Sequence, residues 1–187
     1  AARLLYEFFW SEFCDWYIEL IKPRLYGDDQ RARAIAQNVL VEVLGKSLQL
    51  LHPFMPFITE EIWQHLPGDR GSIMISSWPQ PLTEQEDREA EATMELVMAV
   101  IRAIRNLRSE MNVPPGKQAE VIVVTSVVQT RLVLQKAIGY LEVLAAAKPV
   151  RFKANLAQAP ARAATAVTGE VQIFLPLTGL IDLEKEQ

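Results

Sequence analysis

Apolar residues in this chain first run along nearly a whole helical surface and later alternate in short bursts. Residues 3–22, RLLYEFFWSEFCDWYIELIK, contain no Gly or Pro and are aromatic or aliphatic around most of the circumference. Their polar positions Glu7, Ser11, Asp15, Glu19 and Lys22 recur in steps of four, four, four and three, which places them on one narrow line of a helix. The pattern predicts a helix deep in a bundle that stops at Pro23. After a turn at 27–30, apolar residues Ile35, Val39, Leu40, Val43, Leu44, Leu50 and Leu51 predict a second helix over 31–51.

LHPFMPFITEEIW, residues 51–63, places two prolines inside an apolar run. Pro53 ends one helix, and Pro56 suits the first turn of the next, where its missing N–H costs nothing. Phe54, Met55, Phe57, Ile62 and Trp63 are then expected in the core. Residues 72–81 predict an extended crossing anchored by Trp78. A long fourth helix is expected from Thr83 to Met111, with Thr83 and Glu86 as a capping box. Its expected buried side is Ala92, Leu96, Ala99, Val100, Ala103, Ile104 and Leu107, with Arg102, Arg105 and Arg108 on other faces.

Beyond Pro114–Pro115 the period changes. Residues 119–126, 150–154, 162–167 and 170–177 are short and β-branched and predict strands, with a helix over 128–146. The expected fold class is therefore mainly α: an antiparallel helical bundle over 1–113, then a small α+β subdomain over 114–187.

Composition changes this picture little. Of 187 residues, 50% are hydrophobic and 22% charged, which is globular. No apolar run reaches the roughly 18 residues of a membrane span, and no secretory leader pattern is visible. The first methionine is Met55 and the text opens inside a predicted helix, so a segment of a longer polypeptide is expected. The single Cys14 accords with a reducing, cytosolic setting. With it and only His52 and His65, a closed zinc site cannot be assembled without carboxylates.

Net charge is −4; residues 1–81, 82–112 and 113–187 carry −3, −3 and +2. No segment is a basic tail, so any RNA contact must rest on local patches. No Gly-rich phosphate loop and no nucleophile elbow are present. The pairs Asp15/Glu19 and Glu60/Glu61 are explained by a solvated face and a helix start. These residues alone predict a binding or structural module.

Three stretches, 5–23, 51–63 and 101–117, resemble valyl-tRNA synthetase in the part that follows its catalytic domain. Residues 169–186 resemble the stretch before that family's C-terminal coiled coil. HPFMPFITEE is shared with the isoleucyl, leucyl and methionyl relatives, whereas EFCDWYIE and NVPPGK mark the valyl branch. The resemblance implies a class I anticodon-binding bundle whose parent joins valine to its tRNA with ATP and magnesium, acts in the cytoplasm and is monomeric.

The family's His-x-Gly-His and Lys-Met-Ser-Lys-Ser signatures, its editing domain and its coiled coil are absent from this sequence, so the segment is expected to carry no catalytic residue, cofactor or metal. Its expected partners are the valine-accepting tRNA and the remaining parent domains, with no membrane. The matching segment of an isoleucyl or leucyl enzyme, or a non-catalytic helical interaction module, are the alternatives.

Unstacked anticodon bases are held by stacking and by hydrogen bonds to their edges. On this resemblance the line of the first helix becomes a candidate contact. Asp15 and Glu19 can accept from base amino groups, Ile18 can pack on a base, and Lys22 can meet a phosphate. Arg102 and Arg105 are candidate phosphate or bracing contacts, with Lys117 beyond. The same line also reads as an ordinary solvated face.

Overall fold

The computed structural model describes residues 2–81, 84, 86–156, 160–177 and 180. The chain divides into two compact units, residues 1–85 and 86–187.

The first unit is helical. It opens with α1 (Ala2–Glu7), continues as a π-helix over Phe8–Ile18, and returns to α geometry in α2 (Glu19–Tyr26). Phe13, Trp16, Leu20 and Ile21 are buried, and Phe13 stacks on Tyr17 with ring centroids 5.8 Å apart. Contrary to the expectation of a stop at Pro23, the helix continues and the proline sits inside α2. The stop comes at Gly27, where a Cβ would lie 2.6 Å from the Pro23 carbonyl oxygen, so the chain turns away where no side chain is present.

Helix α3 (Gln30–Leu51) begins at Asp29, whose carboxylate accepts from Arg31 N at 2.9 Å and Ala32 N at 3.0 Å. This satisfies two of the amides that a helix start leaves open. Of its predicted apolar face, Ile35 and Val39 are exposed and Leu40, Val43, Leu44, Leu50 and Leu51 half-buried; the buried positions are Ala36, Gly45, Ser47 and Leu48, which the prediction did not name.

Helix α4 (Pro56–Gln64) carries its proline at the first turn, as expected. The corner before it is not the apolar core predicted. Phe57 is 90% exposed, and Phe54, Met55 and Ile62 are also exposed; only Trp63 is core. Polar links close the corner instead. Thr59, buried, has its hydroxyl 2.8 Å from the Met55 carbonyl and 2.7 Å from His52 Nδ1. A hydroxyl has one hydrogen, and a carbonyl can only accept. With that hydrogen on Met55 O, His52 Nδ1 carries its own proton and donates.

The following segment is held by Ile73, in a 3-10 turn (Ile73–Ile75), and not by Trp78, which is exposed. The Glu60 carboxylate ties the turn to α4, accepting from Ser72 Oγ at 2.9 Å and Ile73 N at 3.1 Å.

The second unit contains α5 (Arg88–Glu110), capped by Asp87, which accepts from Ala90 N at 2.9 Å. Thr83 of the predicted capping box lies outside the described residues. The buried line of α5 is Val97, Val100, Ile101, Ile104, Leu107 and Arg108. It is turned from the predicted one, with Ala92 exposed and Leu96, Ala99 and Ala103 half-buried.

Strands β1 (Ala119–Val124), β2 (Ala147–Lys153), β3 (Ala163–Thr168) and β4 (Val171–Pro176) form one mixed sheet in the order β2-β1-β4-β3. β1 and β2 are parallel, joined by α6 (Val128–Lys136) and α7 (Ile138–Leu144), the helical crossover that parallel pairing requires. β4 runs antiparallel to both β1 and β3. Helix α5 packs on β3 and β4. Ile122, Val124 and Phe174 form a separate small cluster covered by Leu156 and Ala163.

The fold class therefore departs from expectation. The chain is a mixture of helix and sheet, not a mainly α bundle with an appendage. The longest helix of the second unit spends its apolar line on a sheet. Periodicity reports that a helix has a buried side, but not whether helix or strand covers it. The boundary expected at 113/114 falls within the second unit, at the turn after α5.

Candidate nucleic-acid interface

The π-helix and α2 bring four of the predicted residues onto one face: Asp15 and Ile18 at the end of the π segment, Glu19 and Lys22 in the first turns of α2. Asp15 and Lys22 are exposed, whereas Ile18 and Glu19 are half-buried. Phe13, Trp16, Leu20 and Ile21 anchor the opposite side, so the line stands on a fixed support. Lys22 Nζ lies 2.5 Å from Glu19 Oε1, and the two charges largely neutralise one another. Asp15 is left as an acceptor on the exposed line. Burial, with the Asp15 carboxylate beside it, pushes the Cys14 thiol up.

Arg102 and Arg105 belong to the second unit and are exposed on α5. Arg105 Nε donates to the Leu144 carbonyl at 2.7 Å, so it braces α5 against the end of α7. Lys117 Nζ donates to the Leu180 carbonyl at 3.0 Å.

Two features escaped the sequence reading. Arg108, placed on an outer face by periodicity, is only 6% exposed. Its guanidinium donates to the carbonyls of Lys117 at 2.6 Å, Pro114 at 3.0 Å and Ala146 at 3.3 Å. Burial lowers its pKa from the usual high value. The Pro114–Pro115 pair was the available signal: two residues without N–H groups leave a turn with surplus acceptors, and an arginine just upstream can answer them.

The second is a cleft of about 890 Å³ in the first unit, lined by Gln37, Asn38, Glu42, Lys46 and Gln49 of α3 and by Arg70. The Arg70 guanidinium sits 5.2 Å from the Trp63 ring centroid, a cation–π arrangement. No described helix is long and apolar enough to cross a membrane.

A helical module with a polar line on a rigid aromatic base, joined to a small mixed sheet, belongs to the class of binding modules. Residues 1–123 match the family of the anticodon-binding domain of tRNA ligase, and the chain belongs to that family. Over its whole length it is similar to proteins named valine–tRNA ligase. It is 46% identical to that of Clostridium acetobutylicum, 47% to that of Syntrophotalea carbinolica and 50% to that of Carboxydothermus hydrogenoformans. The chain spans 21% of the length of each of these relatives.

Proposed function

We propose that this chain is the anticodon-reading segment of a valine–tRNA ligase. The observation that carries the reading is identity of 46–50% to proteins of that name across the entire chain, alongside the match of residues 1–123 to the anticodon-binding family. The whole enzyme would join valine to its tRNA in the cytoplasm, as a monomer using ATP and magnesium. That chemistry would reside in the parent's other domains. The face formed by Asp15, Ile18, Glu19 and Lys22 supports the reading, since carboxylates suit base amino groups better than phosphates. Arg102, in the second unit, is a separate candidate phosphate contact. Arg105, engaged by Leu144, serves bracing first.

The exposed corner supports a second part of the role. Phe54, Met55, Phe57 and Ile58 stand out of α4 and the turn before it, with Met74, Ile75 and Trp78 exposed further on. Apolar surface of this extent suits a contact with other protein. The reading assigns it to the remaining domains of the parent, so the segment both reads RNA and braces the body that acts on it.

The test is a titration of the chain with a valine-accepting tRNA and with an anticodon-swapped transcript at two salt concentrations. Tighter binding of the first at both salts is expected. Equal binding of the two would remove the anticodon from the reading, and binding lost at modest salt would reduce it to phosphate contact.

A further inference from the structure

The cleft beside α3 is built around an arginine that is held but not used. Arg70 Nε donates to the Pro67 carbonyl at 3.0 Å, and the guanidinium lies over Trp63. Trp63 is itself fixed, buried at 5% exposure and donating from Nε1 to the Gly71 carbonyl at 3.1 Å. Gly45 keeps the wall low: a Cβ there would make ordinary contact, 3.6 Å from Trp63 Cζ3 and 3.8 Å from Arg70 Nη1, whereas a longer side chain would reach into the same space. Among the described residues, no acceptor partners the two terminal nitrogens of Arg70. The fork of donors is thus oriented in advance by a ring, a carbonyl and a helix wall, and remains open.

The wall opposite supplies complementary groups. Glu42 and Lys46 pair at 2.8 Å, which removes the carboxylate as an obstacle to an anion. Gln49 is occupied by Ser76 Oγ and the Ser77 carbonyl, each at 3.1 Å. Gln37 and Asn38, both exposed, have amides with no partner among the described residues. They lie about two helical turns from Gly45, roughly 10 Å along α3. A planar donor fork at one end and amides offering donor and acceptor at the other match the two ends of a nucleotide. The phosphate takes a bidentate guanidinium, and the base edge takes an amide.

We propose that this cleft is an RNA subsite, in which Arg70 takes a backbone phosphate and Gln37 and Asn38 meet the edge of an unpaired base. It is formed by α3 and the 67–70 loop, apart from the line on the π-helix and α2. The proposal rests on the anticodon-binding reading, which supplies the RNA.

The test uses the full chain and a valine-accepting tRNA. Arg70→Ala and Arg70→Lys are compared with the parent chain by titration over a salt series, and cross-linking from 4-thiouridine-substituted tRNA is mapped onto peptides. Arg70→Ala is expected to weaken binding about tenfold or more, and Arg70→Lys to recover only part. The slope of log affinity against log salt should fall by about one unit for the alanine variant. Cross-links should reach residues 37–46 or 67–70. Because Arg70 is exposed and its fixed contacts are the Trp63 ring and the Pro67 carbonyl, Arg70→Ala should lower the unfolding temperature only slightly and leave the chain folded. Failure of the parent chain to bind tRNA at low salt would sink the anticodon reading and this proposal with it. Binding by the parent chain with an unaltered affinity and slope for Arg70→Ala would overturn the subsite alone, and would assign the cleft to a polypeptide segment.

Discussion

The Arg108 guanidinium and the Lys117 carbonyl meet at 2.6 Å across the turn that follows α5. The same side chain reaches Pro114 and Ala146, so one residue joins the helix end, the proline turn and the start of β2. Replacing it by methionine keeps most of the volume and removes every donor. We expect Arg108→Met to lower the unfolding free energy by about 3 kcal/mol, because buried carbonyls lose charged partners. Arg108→Lys should recover little, since an ammonium cannot fan out to carbonyls in several directions. Urea denaturation of the three proteins checks both.

Gly45 gives a two-sided prediction. The added methyl of alanine finds ordinary contact distances, 3.6 Å to Trp63 and 3.8 Å to Arg70, in the middle of a helix. Gly45→Ala should therefore stabilise the chain by about 0.5–1 kcal/mol, the usual cost of glycine inside a helix. Gly45→Leu should push Arg70 off the indole and destabilise. Thermal unfolding of both variants decides; a loss for alanine would show that Trp63 cannot tolerate even a methyl group beside it.

Glu60 makes part of the stability depend on pH. Hydrogen bonds from Gln64, then from Ser72 and the Ile73 amide, hold its carboxyl below the usual range. The folded form thus releases its proton more readily than the unfolded chain. This contribution is complete above the ordinary carboxylate pKa, about 4.3, and disappears as the pH falls through the lowered folded value. Glu60→Gln should unfold at a lower temperature at neutral pH, with the gap closing in acid. A gap that persists unchanged at about pH 2, below the carboxylate range, would rule out the carboxylate as its source.

Phe57→Ser tests the corner. Phe57 is 90% exposed, so the change should leave the stability of this chain within about 0.5 kcal/mol. Trp63→Ala, nearly two turns further on the buried side, should cost about 3–5 kcal/mol. If Phe57→Ser instead unfolds the chain, the corner is core after all.

Glu19→Ala should reduce discrimination between the valine-accepting tRNA and an anticodon-swapped transcript more than it reduces affinity, because a carboxylate reads base edges and repels phosphates. Lys22, released from Glu19, becomes free for backbone contact, which works in the same direction. Paired titrations measure the ratio.

Much of the local structure was legible in the residues. Pro56 in the first turn of α4 and the strand-like stretches after Pro115 follow directly from backbone chemistry. The misreadings share a cause. Hydrophobicity identifies residues that leave water, not what receives them. Phe54, Met55 and Phe57 look like core because they are apolar, yet in this chain they face outward. Arg108 looks like surface because it is charged, yet the carbonyls of Pro114, Lys117 and Ala146 converge on its guanidinium and hold it inside. Pro23 reads as a stop, but the helix persists to Tyr26 and yields only where Gly27 offers no Cβ. At the candidate interface the Asp15–Lys22 line was legible because a single helix writes it in periodic steps. The Arg70 cleft was not, since Trp63, Gly45 and Arg70 come from separate segments and carry no shared period.

The strand order β2-β1-β4-β3 also sets a timetable for synthesis. The described α-helices of the first unit are complete by Gln64. The central strand β1, by contrast, must wait for β4, which ends at Pro176, before its second edge is paired. A chain emerging from the ribosome can therefore settle its first unit while β1 is still half-paired. During that interval the Val-rich strand depends on β2 and the crossover helices to keep it from joining a neighbouring nascent chain.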